Sequence, residues 1–309
     1  MVLYIGYNNG PSDGGCAQLH RICAIYCIAR RYSVRYVHQP ITYICCKGLV
    51  HIQANQGTDP AFEEGFNSLL QPNEHFSEVP PGARTVVVSG DLDVPKLLSL
   101  MREAEKEDVF AKVGLCRPII ETDPDLYRYA IELCPAQLRT TSKDHLNIQI
   151  HMRRGDLLVG EQWRMLPNSY YLGLIHFFNK VVPQLGKTHT IHIHTEAPLQ
   201  EIVLTSEHHG VGDRIKTDLV LKPSDYRLEE FELPNVILHN NEEPWTSVRA
   251  LQTGDVFVMS HSSFSVMGAI MNPKGIILYH PFWHKPMTRW LNTTSPSFPK
   301  AFIDALSRL

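Results

Sequence analysis

Strand-like and helix-like runs alternate along the whole of this chain, which confines it to the α/β class, where parallel strands are joined by crossover helices. In the first half the patterning predicts strands near 2–6, 33–38 and 84–90 and helices near 16–31, 60–71, 94–110 and 123–134. A polar stretch, Thr140-Thr141-Ser142-Lys143-Asp144, separates these from a second alternating half. There a strand over 146–152 precedes a helix over 168–182, whose Tyr171, Leu174, Ile175, Phe178 and Val181 share one face. Further strands are predicted near 188–195, 217–221, 235–239, 256–260 and 275–279. A chain of 309 residues, 43% of them hydrophobic, can build two packed cores. The expectation is two Rossmann-like domains, 1–143 and 144–309, with a closing helix near 298–308 that returns to the first.

The strand that opens the second half runs straight into charge, reading Ile148-Gln149-Ile150-His151-Met152-Arg153-Arg154-Gly155-Asp156. Leu146, Ile148, Ile150 and Met152 alternate with Asn147, Gln149 and His151, the period of a strand. Open α/β sheets bind ligands outside the carboxyl ends of their strands, so Arg153 and Arg154 stand where an anion is met. A guanidinium holds two phosphate oxygens in its planar fork and keeps its charge. The simpler reading is an exposed ion pair with Asp156, worth about 0 to 1 kcal/mol. More than a hundred residues later a second apolar strand, Asp255-Val256-Phe257-Val258-Met259-Ser260, empties into His261-Ser262-Ser263-Phe264-Ser265 and a helix of small residues. Hydroxyls and backbone amides at a strand-to-helix turn make a second anion cradle. Helix capping is the alternative, although capping needs one serine and three are present.

The two motifs, His-x-Arg-Arg-x-Asp on a strand end and Ser-Ser-Phe-Ser after a later strand, resemble the fucosyltransferase superfamily of α1,2-, α1,6- and protein O-fucosyltransferases. The resemblance covers roughly residues 146–283. It implies a GT-B glycosyltransferase architecture and inverting, metal-independent transfer of fucose from GDP-fucose to a glycan or glycoconjugate acceptor, with no cofactor beyond the donor. It further implies that Arg153 and Arg154 neutralise the diphosphate and that Ser262, Ser263 and Phe264 hold phosphate oxygens. His151 and Ser265 belong to the same two motifs and join them as donor-site candidates. The donor then belongs to 144–309, and 1–143 becomes the acceptor side.

The N-terminal loop agrees in outline. Gly14-Gly15-Cys16-Ala17-Gln18 is similar to the Gly-Gly-x-Asn-Gln of the family, with Ala17 where asparagine usually stands. Gly14 and Gly15 let backbone approach a ligand closely, or simply turn the chain. Inverting transfer needs a general base at the acceptor hydroxyl, for which Asp13 and Asp156 are the candidates, and Asp156 is equally suited to holding the arginine loop. Relatives read guanine with an acidic residue ahead of the Ser-Ser motif. Here that region is Trp245-Thr246-Ser247-Val248, so Glu242 or Glu243 would substitute, or the nucleotide differs.

Other features narrow or compete with this reading. A formal net charge of −3 argues against nucleic acid as the main partner. Seven cysteines, an odd number without a C-x-x-C pair, read as reduced thiols. With no secretory signal and no apolar run long enough to span a bilayer, the expected compartment is the cytoplasm. Asp91-Leu92-Asp93 could hold a metal in a metal-dependent transferase, but Pro95 and an amphipathic run follow at once, the setting of a helix cap. His192 and His194 share a strand face without a third ligand nearby in sequence. Thr195-Glu196 ends that strand and either lines the nucleotide pocket or starts a helix. Phe282 and Trp283 suit stacking on a base or sugar, or core packing. A GT-B enzyme using another sugar nucleotide and a non-catalytic nucleotide- or glycan-binding relative are the remaining alternatives.

Overall fold

The computed structural model describes residues 1–9, 14–45, 48, 59–71, 74–134, 142, 144–158, 162–205 and 219–309. The chain forms two compact units. Unit 1 comprises Met1–Ile44, Thr58–Ala136 and His284–Thr288, and unit 2 comprises Cys45–Gly57, Gln137–Trp283 and Arg289–Leu309. The chain passes between the two units more than once.

In unit 1, β1 (Leu3–Tyr7), β2 (Arg35–Val37), β3 (Arg84–Asp91) and β4 (Val109–Leu115) form a wholly parallel sheet in the order β2-β1-β4-β3. Its helices are α1 (Gly15–Tyr32), α2 (Pro60–Asn67), α3 (Val94–Glu103) and α4 (Arg117–Thr122). Helix α1 is buried on nearly every side, with Ile22, Cys23, Ile25, Tyr26, Cys27 and Ile28 fully enclosed, so it is a core helix rather than an amphipathic one. Burial also pushes the Cys23 and Cys27 thiols up and keeps them protonated. Two sequence expectations change here. The helix expected over 94–110 stops at Glu103, and Val109–Leu115 is a strand inserted between β1 and β3. Lys112 and Gly114 interrupt its apolar run, whereas Val109, Ala111 and Val113 are fully buried. The helix expected over 123–134 is a 3-10 segment, Pro124–Leu133, that buries Leu126, Tyr127, Ala130 and Leu133.

The Asp-x-Asp pair also resolves. Asp93 caps α3 by accepting from the Lys96 N–H at 2.9 Å, and Asp91 accepts from the Arg117 guanidinium at 2.9 Å and from its backbone N–H at 3.2 Å. Partial burial works against the Asp91 charge, but the Arg117 contacts outweigh it and hold the carboxyl below its ordinary range. Both carboxylates thus serve local structure rather than pointing together at a cation.

Unit 2 contains β5 (His145–Met152), α5 (Asn168–Gln184), β6 (Thr188–Thr195), β7 (Ile202–Leu204), β8 (Leu219–Leu221), β9 (Val236–Asn240), α6 (Pro244–Thr253), β10 (Val256–Val258), α7 (Ser263–Ile270), β11 (Ile276–Tyr279), β12 (Leu291–Asn292) and α8 (Phe298–Leu306). Six strands make a parallel sheet in the order β12-β11-β10-β5-β6-β9. The strand expected near 217–221 is β8, which pairs antiparallel with β7 in a short ribbon outside that sheet. Leu146, Ile148, Ile150 and Met152 face a core built with α5 and α8. Gln149 and His151, on the other face, are buried as well, as expected of a parallel strand covered on both sides.

The closing helix α8 buries Phe298, Phe302 and Leu306 in the core of unit 2, where Phe302 meets Phe177 at 5.5 Å and Phe178 at 5.4 Å between ring centroids. No described helix is long and apolar enough to cross a membrane. Because Phe302 is fully enclosed, Phe302→Ala should cost about 3–5 kcal/mol, read from denaturant unfolding, by leaving a cavity under α5.

Candidate functional site

Counted by appearance within its sheet, unit 2 runs third, second, first, fourth, fifth, sixth from β9 to β12. This is the doubly wound order in which the chain leaves the first strand on one side and returns on the other. The reversal falls between β5 and β10, whose carboxyl ends flank the crevice where such sheets take ligands. Val258 pairs with Ile150, so the residues that follow, Arg153 and Arg154 on one strand and Ser260 to Ser265 on the other, emerge side by side.

The two strand ends are locked together by buried hydrogen bonds. His151 Nδ1 meets Ser265 Oγ at 2.7 Å and Ser260 Oγ at 3.0 Å, and the Ser260 N–H donates to Ser265 Oγ at 2.9 Å. Burial holds the His151 imidazole well below its ordinary pKa, with the neighbouring Arg153, His194 and Arg154 charges acting in the same direction. Its ring lies 4.6 Å from that of Phe264. Each serine has a distinct position. Ser262 caps α7, its Oγ accepting from the Phe264 N–H at 3.2 Å. Ser265 is fully enclosed in the lock, and Ser263, half-buried, begins the helix. Ser262 and Ser265 thus already have internal partners, and the Ser262 hydroxyl, which accepts from the Phe264 N–H, keeps its own proton to donate.

The arginines also part company. Arg154 is 2% exposed, donates through Nη1 to the Arg153 carbonyl at 2.9 Å and through Nη2 to Asn168 Oδ1, and lies 5.5 Å from the Tyr171 ring. Asn168 in turn donates to Glu230 Oε2 at 2.8 Å. Arg154 is therefore a buried tie between the loop and the start of α5, not a cation presented to solvent. Parity explains the difference: 154 continues the even-numbered, core-facing series of β5, whereas Arg153 continues the series of Gln149 and His151 and stays half-buried. The side chain of Asp156 lies outside the described residues.

The adjacent strand end is built around a missing side chain. The Gly155 N–H donates to the Glu196 carbonyl at 2.8 Å, and Tyr226 Oη donates to the Gly155 carbonyl at 3.0 Å. Gly155 has φ +54°, and a Cβ there would come within 2.4 Å of Glu196 Oε2, so the glycine admits both the backbone turn and the carboxylate. Thr195 is buried, its Oγ1 donating to the Met152 carbonyl at 2.8 Å.

Unit 1 places its candidates differently. Asp13 lies outside the described residues. Gly14 precedes α1, and a Cβ at Gly15 would come within 2.7 Å of the Phe66 ring, so helix packing itself requires this glycine. Gln18 is buried between the Tyr7 hydroxyl and the Tyr43 carbonyl. In unit 2, Trp283 is 42% exposed, with Trp163 at 5.6 Å and the Arg164 guanidinium 4.8 Å from its ring, so it forms a surface aromatic cluster and not a core contact. Sequence reasoning paired His194 with His192 and missed His239, which with Glu242 comes together with His194.

Two outcomes follow from this turn. Ser262→Gly should lower stability by only a few tenths of a kcal/mol, whereas Ser265→Ala, which strands the Ser260 N–H and leaves His151 Nδ1 with Ser260 Oγ alone, should cost roughly 1–3 kcal/mol in denaturant unfolding. The second concerns pH. Burial lowers His261 from 6.5 to about 4, assisted by His280 and Arg164. Above 6.5 the ring is neutral in both folded and unfolded chains. Between 6.5 and about 4 the unfolded chain takes up a proton that the folded ring refuses, so stability falls as pH falls. Denaturant midpoints at about pH 7 and about pH 5 should differ less in His261→Gln than in the parent.

No protein-family model matches the chain, and no curated protein matches it in sequence. Among solved structures it is similar to the E. coli heptosyltransferase WaaC with ADP-2-deoxy-2-fluoro heptose, at 12% identity and TM-score 0.41, over 100% of this chain and 99% of that one. It is also similar to a trehalose-6-phosphate synthase studied with bisubstrate glycomimetics, at 11% identity and TM-score 0.34, over 99% of this chain and 64% of that one. The α/β architecture stands on the strand order and pairing described above.

Proposed function

We propose that this chain is a GT-B glycosyltransferase that moves fucose from GDP-fucose to a glycan acceptor with inversion, and that unit 2 holds the donor. The observation that carries the reading is the pairing of the His-x-Arg-Arg loop with the serine turn at the strand-order reversal of a doubly wound sheet.

Glycosyl transfer from a sugar nucleotide develops charge on a departing diphosphate, so the largest task is to stabilise that charge. In this reading Arg153 meets the diphosphate and Arg154 acts as a positioning residue, holding the Arg153 carbonyl from the interior. Ser263 and the first turn of α7 supply backbone and hydroxyl donors. Ser262, Ser265 and His151 shape that turn, and Phe264 packs on His151. Thr195 and Glu196 line the neighbouring strand end. The charge is thus met by guanidinium and helix N–H groups and not by a divalent cation at the phosphates. Gly14 and Gly15 belong to the acceptor side, and the base at the acceptor hydroxyl is Asp13 or Asp156. Glu242 or Glu243, just ahead of α6, is the acid to read the base.

The test separates Arg153 from Arg154. Arg153→Ala should lower donor turnover, scored as GDP release, by roughly 10²-fold with an unchanged melting temperature. Arg154→Ala should lose activity together with stability, by about 3–5 kcal/mol, because it breaks a buried charged network. Parental turnover in Arg153→Ala would overturn the site. Thermal stabilisation by a panel of sugar nucleotides should be largest with GDP-fucose. A larger effect of an ADP- or UDP-sugar would replace the donor but keep the transferase, and no effect of any would remove it.

A further inference from the structure

Three side chains outside the β5–β10 crevice converge on one point. His194 on β6 and His239 on β9 are register partners, so their rings project from the same face of adjacent strands and stack at 4.6 Å with 8° between planes. Both Nδ1 atoms are directed at one carboxylate: His239 Nδ1 lies 2.7 Å from Glu242 Oε1 and His194 Nδ1 lies 3.3 Å from Glu242 Oε2. One ligand atom from each residue falls within 4.8 Å of the others. A tetrahedral zinc with bonds of about 2.0–2.2 Å to imidazole nitrogen and carboxylate oxygen sets its ligand atoms roughly 3.3 Å apart, the spacing His194 and Glu242 already have, so the closer His239–Glu242 pair must open slightly.

The hydrogen bonding around the rings makes a second, independent argument. His194 is 2% exposed, and its Nε2 donates to Gln149 Oε1 at 2.8 Å, which leaves the lone pair on Nδ1. That buried Nδ1 has no hydrogen bond and faces a carboxylate oxygen, another acceptor. Two acceptors opposed in a buried setting repel unless a cation lies between them. On the other ring, His239 Nε2 meets His192 Nδ1 at 3.0 Å. Placing the His239 proton on Nε2 turns Nδ1 into a ligand and His192 into the acceptor behind it. Metal-ligating histidines characteristically donate their far N–H to such an acceptor. Glu242 and His239 are 31% and 24% exposed, so the point is reached from solvent and a fourth coordination position stays open.

We infer that His194, His239 and Glu242 bind one divalent transition-metal ion of the zinc class, with Gln149 and His192 orienting the imidazoles. The inference does not depend on the transferase reading, since it uses β6, β9 and the loop before α6 and its tests read metal directly.

Whole protein dialysed against chelator is titrated with Zn²⁺ by calorimetry and with Co²⁺ by visible absorption. One Zn²⁺ per chain is expected, with a four-coordinate Co²⁺ spectrum lacking thiolate charge-transfer bands, which separates this site from the cysteines. His239→Ala and Glu242→Gln, both at part-exposed positions, should weaken binding at least 100-fold while the melting temperature of the metal-depleted protein stays near the parent's. His192→Ala should weaken it roughly 10- to 100-fold. His176→Ala, at an exposed position on α5, should leave it unchanged. Absence of stoichiometric uptake, thiolate bands, or undiminished affinity in Glu242→Gln and His239→Ala would each overturn the assignment.

Discussion

A guanidinium in the interior organises unit 2. Arg154 is carried inward by the alternation of β5, and an isolated charge there would be far too costly to retain, so partners must close around it. The Arg153 carbonyl, Asn168 and the Tyr171 ring do so, and Asn168 is itself held by Glu230 and by the carbonyls of Tyr226 and Arg227. One buried charge thereby fixes the exit of the central strand, the start of α5 and the segment near residue 226 relative to one another. Tyr226 adds its hydroxyl to the Gly155 carbonyl and reinforces the same joint.

On the opposite face of β5 a neutral network does the corresponding job. His151, Ser260 and Ser265 join the β5 and β10 ends through a buried ring and two hydroxyls. The crevice between those strands is consequently bounded by two rigid edges, and a ligand entering it would meet groups already in place. Preorganisation of this kind reduces the ordering cost of binding, which is where recognition of a small anion gains most.

Much of this was legible from residue order, but unevenly. The α/β class followed from alternation, and the helix over 168–182 was readable because Tyr171, Leu174, Ile175, Phe178 and Val181 keep a strict stripe. Strand β4 was lost because Lys112 and Gly114 blur a short run, and burial in a parallel sheet needs no alternation to reveal it. The two motifs were found, yet their internal division of labour was not. Parity along β5 carried the signal that Arg154 faces inward, whereas the roles of Ser262 and Ser265 depend on partners a hundred residues away or on the turn geometry. His239 and Glu242 were invisible as companions of His194 because strand register, not sequence distance, brings them together.

The strand-order reversal has a further consequence during synthesis. β5 is the central strand of its sheet, but its partner on one side, β10, is made more than a hundred residues later, and the bonds that join them include the Asn147 N–H to Asp255 Oδ2 at 2.6 Å. Until then β5 has β6 on one side and nothing of its own sheet on the other. Closing so long a loop slows the final docking, and an open strand edge is a template for pairing with other chains. The nascent protein thus passes through a half-built sheet whose exposed edge favours chaperone capture or aggregation, and the interval lasts until the serine turn has been translated.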